Sequence, residues 1–232
     1  MRAITVCVDY ADILEITFPY NSHHIDDFLV VTTSRDDNTI NLCKSLGVIT
    51  YVTDAFYRQG AHFNKWLALE EGLSYFGRHS LLCIMDADIV FPSTINMEYV
   101  EHNLYTPKRR MNPNISIPPE SEWHNYPYSA NTTEFSGYTQ IFYATDEHLP
   151  HAPWHQVNWK HAGGADTFFQ NNWPTPNKIR PNYEVLHLGE PGTNWCGRTQ
   201  QGKEQLEHYM RLRRKIHKQD RTYINEKLPI PK

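Results

Sequence analysis

The chain has 232 residues, of which 40% are hydrophobic and 21% charged, and its formal net charge at pH 7 is −4. These values are ordinary for a soluble globular protein, and the length suits one large domain or two small ones. The slightly negative charge excludes a general electrostatic attraction to nucleic acid or anionic membranes, so any such contact has to be local. No apolar stretch approaches transmembrane length.

The start of the chain and its cysteines indicate the compartment. Residues 1–9 have the pattern of a strand that ends in Asp9, which differs from that of a signal peptide. The four cysteines are widely spaced and fit neither a disulfide framework nor a zinc motif. Cys7, Cys43 and Cys83 have apolar neighbours and are predicted to be buried small hydrophobes. The sequence therefore predicts a reducing, cytoplasmic environment.

Strand and helix patterns alternate through the first ninety residues. The predicted elements before the fourth strand cover residues 4–8, 11–18, 28–33, 41–46, 48–53 and about 62–76. The first of these helices is predicted to stop at Pro19, and the last to carry an apolar stripe of Trp66, Leu69, Leu73 and Phe76. Alternation of this kind predicts an α/β fold with a mostly parallel sheet and helices on both faces.

The fourth strand, at 81–86, runs into two aspartates one residue apart, Asp86 and Asp88. Alternate side chains of an extended segment share a face, so both carboxylates are expected to enter one site. Paired carboxylates suit a hard divalent cation such as Mg²⁺ or Mn²⁺. The alternative is a turn-capping Asp86 beside a solvated Asp88, since short acidic motifs also arise by chance.

Polar residues also follow the three earlier strands, as Asp9, Thr33 to Arg35, and Asp54. Loops are polar in general, but the carboxyl ends of parallel strands lie at one edge of a sheet, where α/β proteins bind ligands. We therefore expect these residues to converge on the aspartate pair.

The second half is less regular. Residues 105–137 are rich in proline and aromatic residues and are predicted to form a long functional loop. Strand character returns at 137–145 and at 184–189, and the Gly163–Asp166 turn precedes a predicted helix. A basic helix is predicted at 203–221, as a surface helix or, alternatively, as a phosphate-backbone contact.

Together, the ordered motifs Asp86-Ala87-Asp88, the strand at 137–144, the Gly163–Asp166 turn and His187-Leu188-Gly189 resemble a GT-A-type glycosyltransferase over most of the chain. The resemblance implies a GT-A fold with a small antiparallel second part. The expected single domain, 1–232, comprises a nucleotide-binding half (1–92), an acceptor and catalytic half (93–200) and a basic tail (201–232).

The resemblance implies a role for each matching residue. Asp9, Arg35 and Asp54 would hold the base and ribose of a nucleoside-diphosphate sugar, UDP-sugar being favoured, and Lys65 would contact its base or phosphate. Asp86 would face the ribose or donor sugar, and Asn194, Trp195 and Arg198 would close over the diphosphate. The alternative for Lys65 is an ordinary lysine on the helix surface.

The resemblance also implies a metal centre and a base. Asp88 and His187, with Asp86 as a further ligand, would hold Mn²⁺ or Mg²⁺, and the alternative for His187 is a structural core imidazole. Asp166 would be the general base of an inverting reaction, which is favoured, whereas a retaining reaction would need no such base. The alternative for Asp166 is a helix N-cap.

The acceptor hydroxyl would belong to a glycan or to a 5-hydroxymethylpyrimidine in DNA, as in phage DNA-modifying enzymes. The predicted aromatic acceptor contacts are Trp123, His124, Tyr126 and Tyr128. The rival functions are a nucleic-acid-binding module that uses the basic helix, a metal-dependent nucleotidyltransferase and a phosphohydrolase. A nucleotidyltransferase would show a glycine-rich loop after the first strand, where Asp9-Tyr10-Ala11-Asp12 stands instead.

Overall fold

The computed structural model describes residues 1–129, 135 and 137–189. Its central sheet has seven strands in the order β3-β2-β1-β4-β8-β6-β9. These strands are β1 (Arg2–Val6), β2 (Asp27–Thr32), β3 (Ile49–Val52), β4 (Leu81–Asp86), β6 (Leu104–Tyr105), β8 (Thr139–Tyr143) and β9 (Lys178–Ile179). The four strands from β1 to β4 run parallel, and β8 runs antiparallel to both β4 and β6.

The helices are α1 (Ala11–Asn21), α2 (Asp37–Leu46), α3 (Lys65–Phe76) and α4 (Ala165–Phe169). They cover both faces of the sheet, because successive strand residues point to opposite sides. Ile4 of β1 packs with Leu69 of α3 in one core cluster, while its neighbour Ala3 packs with Ile13 of α1 in the other. The predicted doubly covered, mostly parallel sheet is therefore confirmed.

A second, small sheet contains β5 (Ile89–Val90), β10 (Glu184–Leu188) and β7 (Lys108–Asn112) in that order. It was predicted as an antiparallel part, and its pairing is mixed: β10 is antiparallel to β5 and parallel to β7. Since β5 follows β4 after a two-residue turn, this sheet continues directly from the aspartate pair.

Two local predictions were wrong. Helix α1 continues through Pro19 to Asn21, and the amide of Ser22 still donates to the carbonyl of Phe18. A proline in a helix removes one backbone hydrogen bond, because it has no amide hydrogen. Near the C-terminus little of the helix follows it, so the helix can continue to its end. Residues 105–137 are not one long loop, because they include β7 and a 3₁₀ helix at Glu120–Asn125.

The cysteine and helix-stripe predictions are confirmed. Cys7, Cys43 and Cys83 are free thiols in the buried core, and burial raises their pKa. The predicted stripe of α3 is buried throughout, at Trp66, Leu69, Leu73 and Phe76.

Candidate active site

The centre of the candidate site is Lys65, the first residue of α3. Asn64 fixes the start of this helix, because its side-chain oxygen accepts a hydrogen bond from the amide of Leu67 at 3.0 Å. The Lys65 ammonium donates to Asp86 Oδ1 at the end of β4. Burial disfavours the charged ammonium, but the negative charges of Asp86, Asp166 and Asp88 outweigh it and raise the pKa of Lys65.

Asp88 and His187 face each other beside this ion pair. Strand β10 pairs with β5 so that His187 lies opposite Ile89, and the amide of Leu188 donates to the carbonyl of Asp88 at 2.9 Å. The distance from His187 Nε2 to Asp88 Oδ2 is 3.5 Å, and both side chains are buried. Burial raises the pKa of Asp88, and the nearby charge of Asp86 acts in the same direction.

Asp166 reaches the same crevice from the first turn of α4. Its Oδ2 accepts a hydrogen bond from the amide of Gly137 at 2.8 Å. A Cβ at position 137 would lie 2.6 Å from Asp166 Cβ and 3.0 Å from the Trp66 ring, so only glycine allows this approach. The N-cap of α4 is Gly164, which leaves the Asp166 carboxylate turned toward the crevice and not toward its own helix end.

The site also contains Arg109, which the sequence reading missed. Its guanidinium carbon lies 4.3 Å from the centre of the Tyr138 ring, and its Nη2 donates to Ser129 Oγ at 3.2 Å. The positive charge of Arg109 acts on Asp88 and opposes the burial effect on that carboxyl. Arg109 belongs to the basic run Lys108-Arg109-Arg110 after a proline, and this run could have drawn attention to it. The run lies inside the long loop that was predicted at 105–137.

A second group of polar residues lies at the ends of β1, β2 and β3. The exposed Asp54 accepts hydrogen bonds from Ser34 Oγ at 2.9 Å and Thr33 Oγ1 at 3.2 Å, and these bonds lower the pKa of Asp54. The guanidinium carbon of Arg35 lies 5.2 Å from the centre of the Tyr57 ring. Burial raises the pKa of Tyr57, and the negative charge of Asp9 adds to this effect.

The structure therefore brings Asp9, Arg35 and Asp54 together around Tyr57, a residue that the sequence reading did not single out. Asp9 has a positive φ of 57°, and its amide donates to Asp36 Oδ2 at 2.7 Å, so its backbone is anchored to the N-cap of α2. This group and the Lys65 group occupy the same edge of the sheet.

Several predicted residues lie away from the site or outside the described residues. Trp123 is buried and packs with Val90, Leu186 and Leu188, so it is a core residue and the prediction of an acceptor contact there was wrong. Tyr128 is 38% exposed and stacks on Arg110 at 3.6 Å. Asn194, Trp195, Arg198 and the basic helix predicted at 203–221 lie outside the described residues.

Among the described residues, the one set of three or more His, Cys, Asp or Glu side chains with all ligand atoms within 4.8 Å of one another is His102, Asp146 and His148. Asp86, Asp88 and His187 do not form such a set; Asp86 is paired with Lys65, while His187 Nε2 lies 3.5 Å from Asp88 Oδ2. Within the described ranges, no helix is long and apolar enough to cross a membrane.

No protein-family model and no curated protein sequence matches the chain. A glucosyl-3-phosphoglycerate synthase from Mycobacterium tuberculosis, in complex with Mn²⁺, UDP and glucosyl-3-phosphoglycerate, is 12% identical, with a TM-score of 0.50 over 93% of this chain and 80% of that one. A mannosyl-3-phosphoglycerate synthase from Rubrobacter xylanophilus is 22% identical over 47% of this chain, with a TM-score of 0.35, and the match spans 40% of that chain.

An inositol-1-phosphate CTP transferase from T. maritima is 10% identical, with a TM-score of 0.42 over 89% of this chain and 94% of that one. At such identities the similarity concerns the fold alone. The seven-stranded sheet, its flanking helices and the likeness to glucosyl-3-phosphoglycerate synthase together show that this chain has a GT-A-like fold.

Proposed function

We propose that the protein is a metal-dependent glycosyltransferase that moves a sugar from a nucleoside-diphosphate sugar, with UDP-sugar favoured, to an acceptor hydroxyl. The observation that carries this proposal is the convergence of Asp86, Asp88 and Asp166 on Lys65. These carboxylates come from the end of β4, from the turn after it and from α4. One crevice thus combines a cation-binding carboxylate with a candidate base. The shared fold with a synthase solved with Mn²⁺ and UDP supports the proposal.

The residues fit the implied metal. The 3.5 Å between His187 Nε2 and Asp88 Oδ2 is longer than an ordinary hydrogen bond. Two donors on one cation, with bonds of about 2.1 Å, lie roughly 3.0–3.4 Å apart, which is close to this distance. A cation would also compensate the buried carboxylate, whose pKa is raised by burial. A Mn²⁺ or Mg²⁺ held by Asp88 and His187 would neutralise charge that builds on the leaving diphosphate.

The chain's own cations have a related role in the proposal. The Lys65 ammonium and the Arg109 guanidinium both act electrostatically on Asp88. They would therefore bind the diphosphate oxygens beside the cation site and stabilise the departing group. Asn194, Trp195 and Arg198 are proposed to cover the same diphosphate.

The nucleoside would bind at the ends of β1, β2 and β3. The ring of Tyr57 beside the Arg35 guanidinium offers a surface on which a base can stack. Asp54 is ionised and oriented by two hydroxyl donors, so it can accept hydrogen bonds from the ribose hydroxyls. Asp9 is proposed as a further contact to the base or ribose.

Asp166 is proposed as the general base of an inverting reaction. The acceptor oxygen bonds to the anomeric carbon while the bond from that carbon to the diphosphate oxygen breaks, and the acceptor proton passes to Asp166. The hydrogen bond from the Gly137 amide fixes the orientation of this carboxylate. In the acceptor region, Phe168 of α4 is 39% exposed, and its ring centre lies 6.0 Å from that of Trp159. This aromatic pair would stack against a glycan or a flipped 5-hydroxymethylpyrimidine of DNA.

The test is the release of nucleoside diphosphate from a panel of UDP- and GDP-sugars in Mn²⁺ or Mg²⁺, without acceptor. One donor should be cleaved slowly, and Asp88→Asn should reduce that rate by roughly 10²–10³-fold. Asp26→Asn is the matched control, because this carboxylate is 82% exposed at the other end of β2 and should leave the rate unchanged.

Circular dichroism of each variant verifies that the fold is retained. The proposal is wrong if the wild type cleaves no donor, or if Asp88→Asn cleaves one at the wild-type rate.

A further inference from the structure

A second group of polar side chains lies at the edge of the sheet opposite the crevice. Strand β8 runs antiparallel to β4, so Tyr143 at its end pairs with Leu81 at the start of β4. Asp146 and His148 follow β8 directly, and His102 precedes β6, the other neighbour of β8. The proposed glycosyltransferase chemistry uses none of these three residues.

The group has the composition and spacing of a metal site. The ligand atoms of His102, Asp146 and His148 all lie within 4.8 Å of one another. The two imidazole centres are 6.2 Å apart, with their planes at 74°. Two imidazoles and one carboxylate form a donor set typical of Zn²⁺, in contrast to the oxygen-rich sites of Mg²⁺.

The Asp146 carboxylate is buried and oriented by hydrogen bonds, as a metal ligand would be. Its side chain is fully buried, its Oδ2 accepts a hydrogen bond from Trp173 Nε1 at 3.0 Å, and its Oδ1 accepts one from the amide of His148 at 2.9 Å. These two hydrogen bonds fix the orientation of the carboxylate.

The histidines are also arranged for binding. His102 Nδ1 lies 3.4 Å from Glu147 Oε1, so a carboxylate stands behind this ring, as is usual for histidines that bind metals. His148 Nδ1 is hydrogen-bonded to Asp146 Oδ1 at 2.9 Å, so this ring already lies beside the carboxylate, and a cation would take the place of the shared proton. The His102 side chain is 52% exposed, so its ring can adjust and water can reach a fourth position.

We propose that His102, Asp146 and His148 bind a divalent transition metal of the Zn²⁺ class. The ion links the turn before β6 to the turn after β8, two segments more than forty residues apart in the chain. Its binding stabilises the folded protein, because the unfolded chain does not hold these ligands together.

Untagged protein is stripped with a chelator and titrated with Zn²⁺ by calorimetry, and with Co²⁺ by visible absorption. All proteins carry Asp88→Asn, so that binding in the crevice does not contribute. The starting protein should bind one equivalent and gain roughly 5 °C in Tm at a hundred-fold excess over Kd. Its Co²⁺ spectrum should show the strong visible bands of a low-coordinate ion.

His102→Ala and His148→Ala should each weaken Zn²⁺ binding at least ten-fold and abolish the Co²⁺ bands. His102 is the decisive position, because an exposed side chain can be removed without loss of folding. His151→Ala is the matched control, since this exposed histidine of the same connection lies outside the group and should bind as the starting protein does. The proposal is overturned if the starting protein binds no Zn²⁺, or if His102→Ala binds it with unchanged affinity.

Discussion

Lys65 is the residue that joins the proposed metal ligand and the proposed base. Its ammonium donates a hydrogen bond to Asp86 and also interacts electrostatically with Asp166 and Asp88. Without this lysine, the carboxylates would repel one another in a partly buried crevice. The ammonium therefore allows an acidic site to exist before any ligand enters it.

Asp166 carries the clearest prediction at this scale. Asp166→Asn keeps the size of the side chain and can still accept a hydrogen bond from Gly137, but it can no longer accept a proton. The rate of sugar transfer should fall by roughly 10²–10⁴-fold, while the Kd of UDP in Mn²⁺ stays within a few-fold of the wild type. Transfer kinetics and calorimetry measure the two quantities.

Asp26→Asn again serves as the control. Transfer by Asp166→Asn at a rate close to that of the wild type would exclude this residue as the base.

The site residues differ in how far the sequence predicts them. Asp86 and Asp88 follow a recognisable buried strand, so their position at the sheet edge could be inferred from the pattern. Arg109 and Tyr57 could not, because each reaches its partners through tertiary contacts that no local spacing encodes.

Helix α3 makes a buried polar contact with Trp154 and His155, and the His155 ring in turn packs on α4. Glu70 Oε1 accepts hydrogen bonds from the amides of Trp154 and His155 and from His155 Nδ1, at 3.1, 2.9 and 2.7 Å. The His155 ring stacks between Trp66 of α3, at 4.9 Å, and Phe169 of α4, at 4.3 Å. Glu70 thereby fixes the segment that positions α4, and with it Asp166.

Glu70→Gln tests this connection. Burial raises the pKa of Glu70, but the hydrogen bonds and charges of His155 and Arg78 outweigh it and lower the pKa. The ionised group therefore stabilises the fold above its ordinary pKa of about 4.5, and this contribution is lost as the pH falls through the lower folded value. The substitution should reduce the free energy of unfolding by roughly 2–3 kcal/mol at pH 7, and the difference should shrink below pH ~4.5.

Urea unfolding at several pH values measures the effect. Glu15→Gln, at an exposed position of α1, is the control and should stay within about 0.5 kcal/mol of the wild type. A Glu70→Gln protein as stable as the wild type at pH 7, or a difference that does not depend on pH, would contradict this role.

The elements were predictable where periodicity is strong. Helix α3 and strands β1 to β4 lie close to their predicted positions, because each has a continuous or regularly spaced apolar face. Strand β7 was missed, since Lys108–Asn112 has a basic, weakly apolar sequence that becomes a strand only by pairing with β10.

At the scale of the whole molecule, the direction of β8 explains how the site is completed. The parallel strands bring the ends of β1 to β4 to one edge, and the antiparallel β8 begins at that edge with Thr139 opposite Met85. The chain therefore returns to the crevice at Gly137, which meets Asp166. The mostly parallel sheet and the crevice at its carboxyl edge follow from patterning and handedness, whereas the acceptor depends on loop side chains that such rules do not determine.

The most direct test of the central claim is the identity of the products from the donor that the panel selects. A glycosyltransferase breaks the bond between the anomeric carbon and the diphosphate, so a UDP-sugar should yield UDP and the free or transferred sugar. A phosphohydrolase directs water at phosphorus and would yield UMP and a sugar phosphate. A nucleotidyltransferase, given pyrophosphate, would transfer the uridylyl group to it and yield UTP and a sugar phosphate. Chromatography of the reaction in Mn²⁺ distinguishes these pairs. The account predicts that the wild type forms UDP and that Asp88→Asn does not. A sugar phosphate among the products of the wild type would contradict the account.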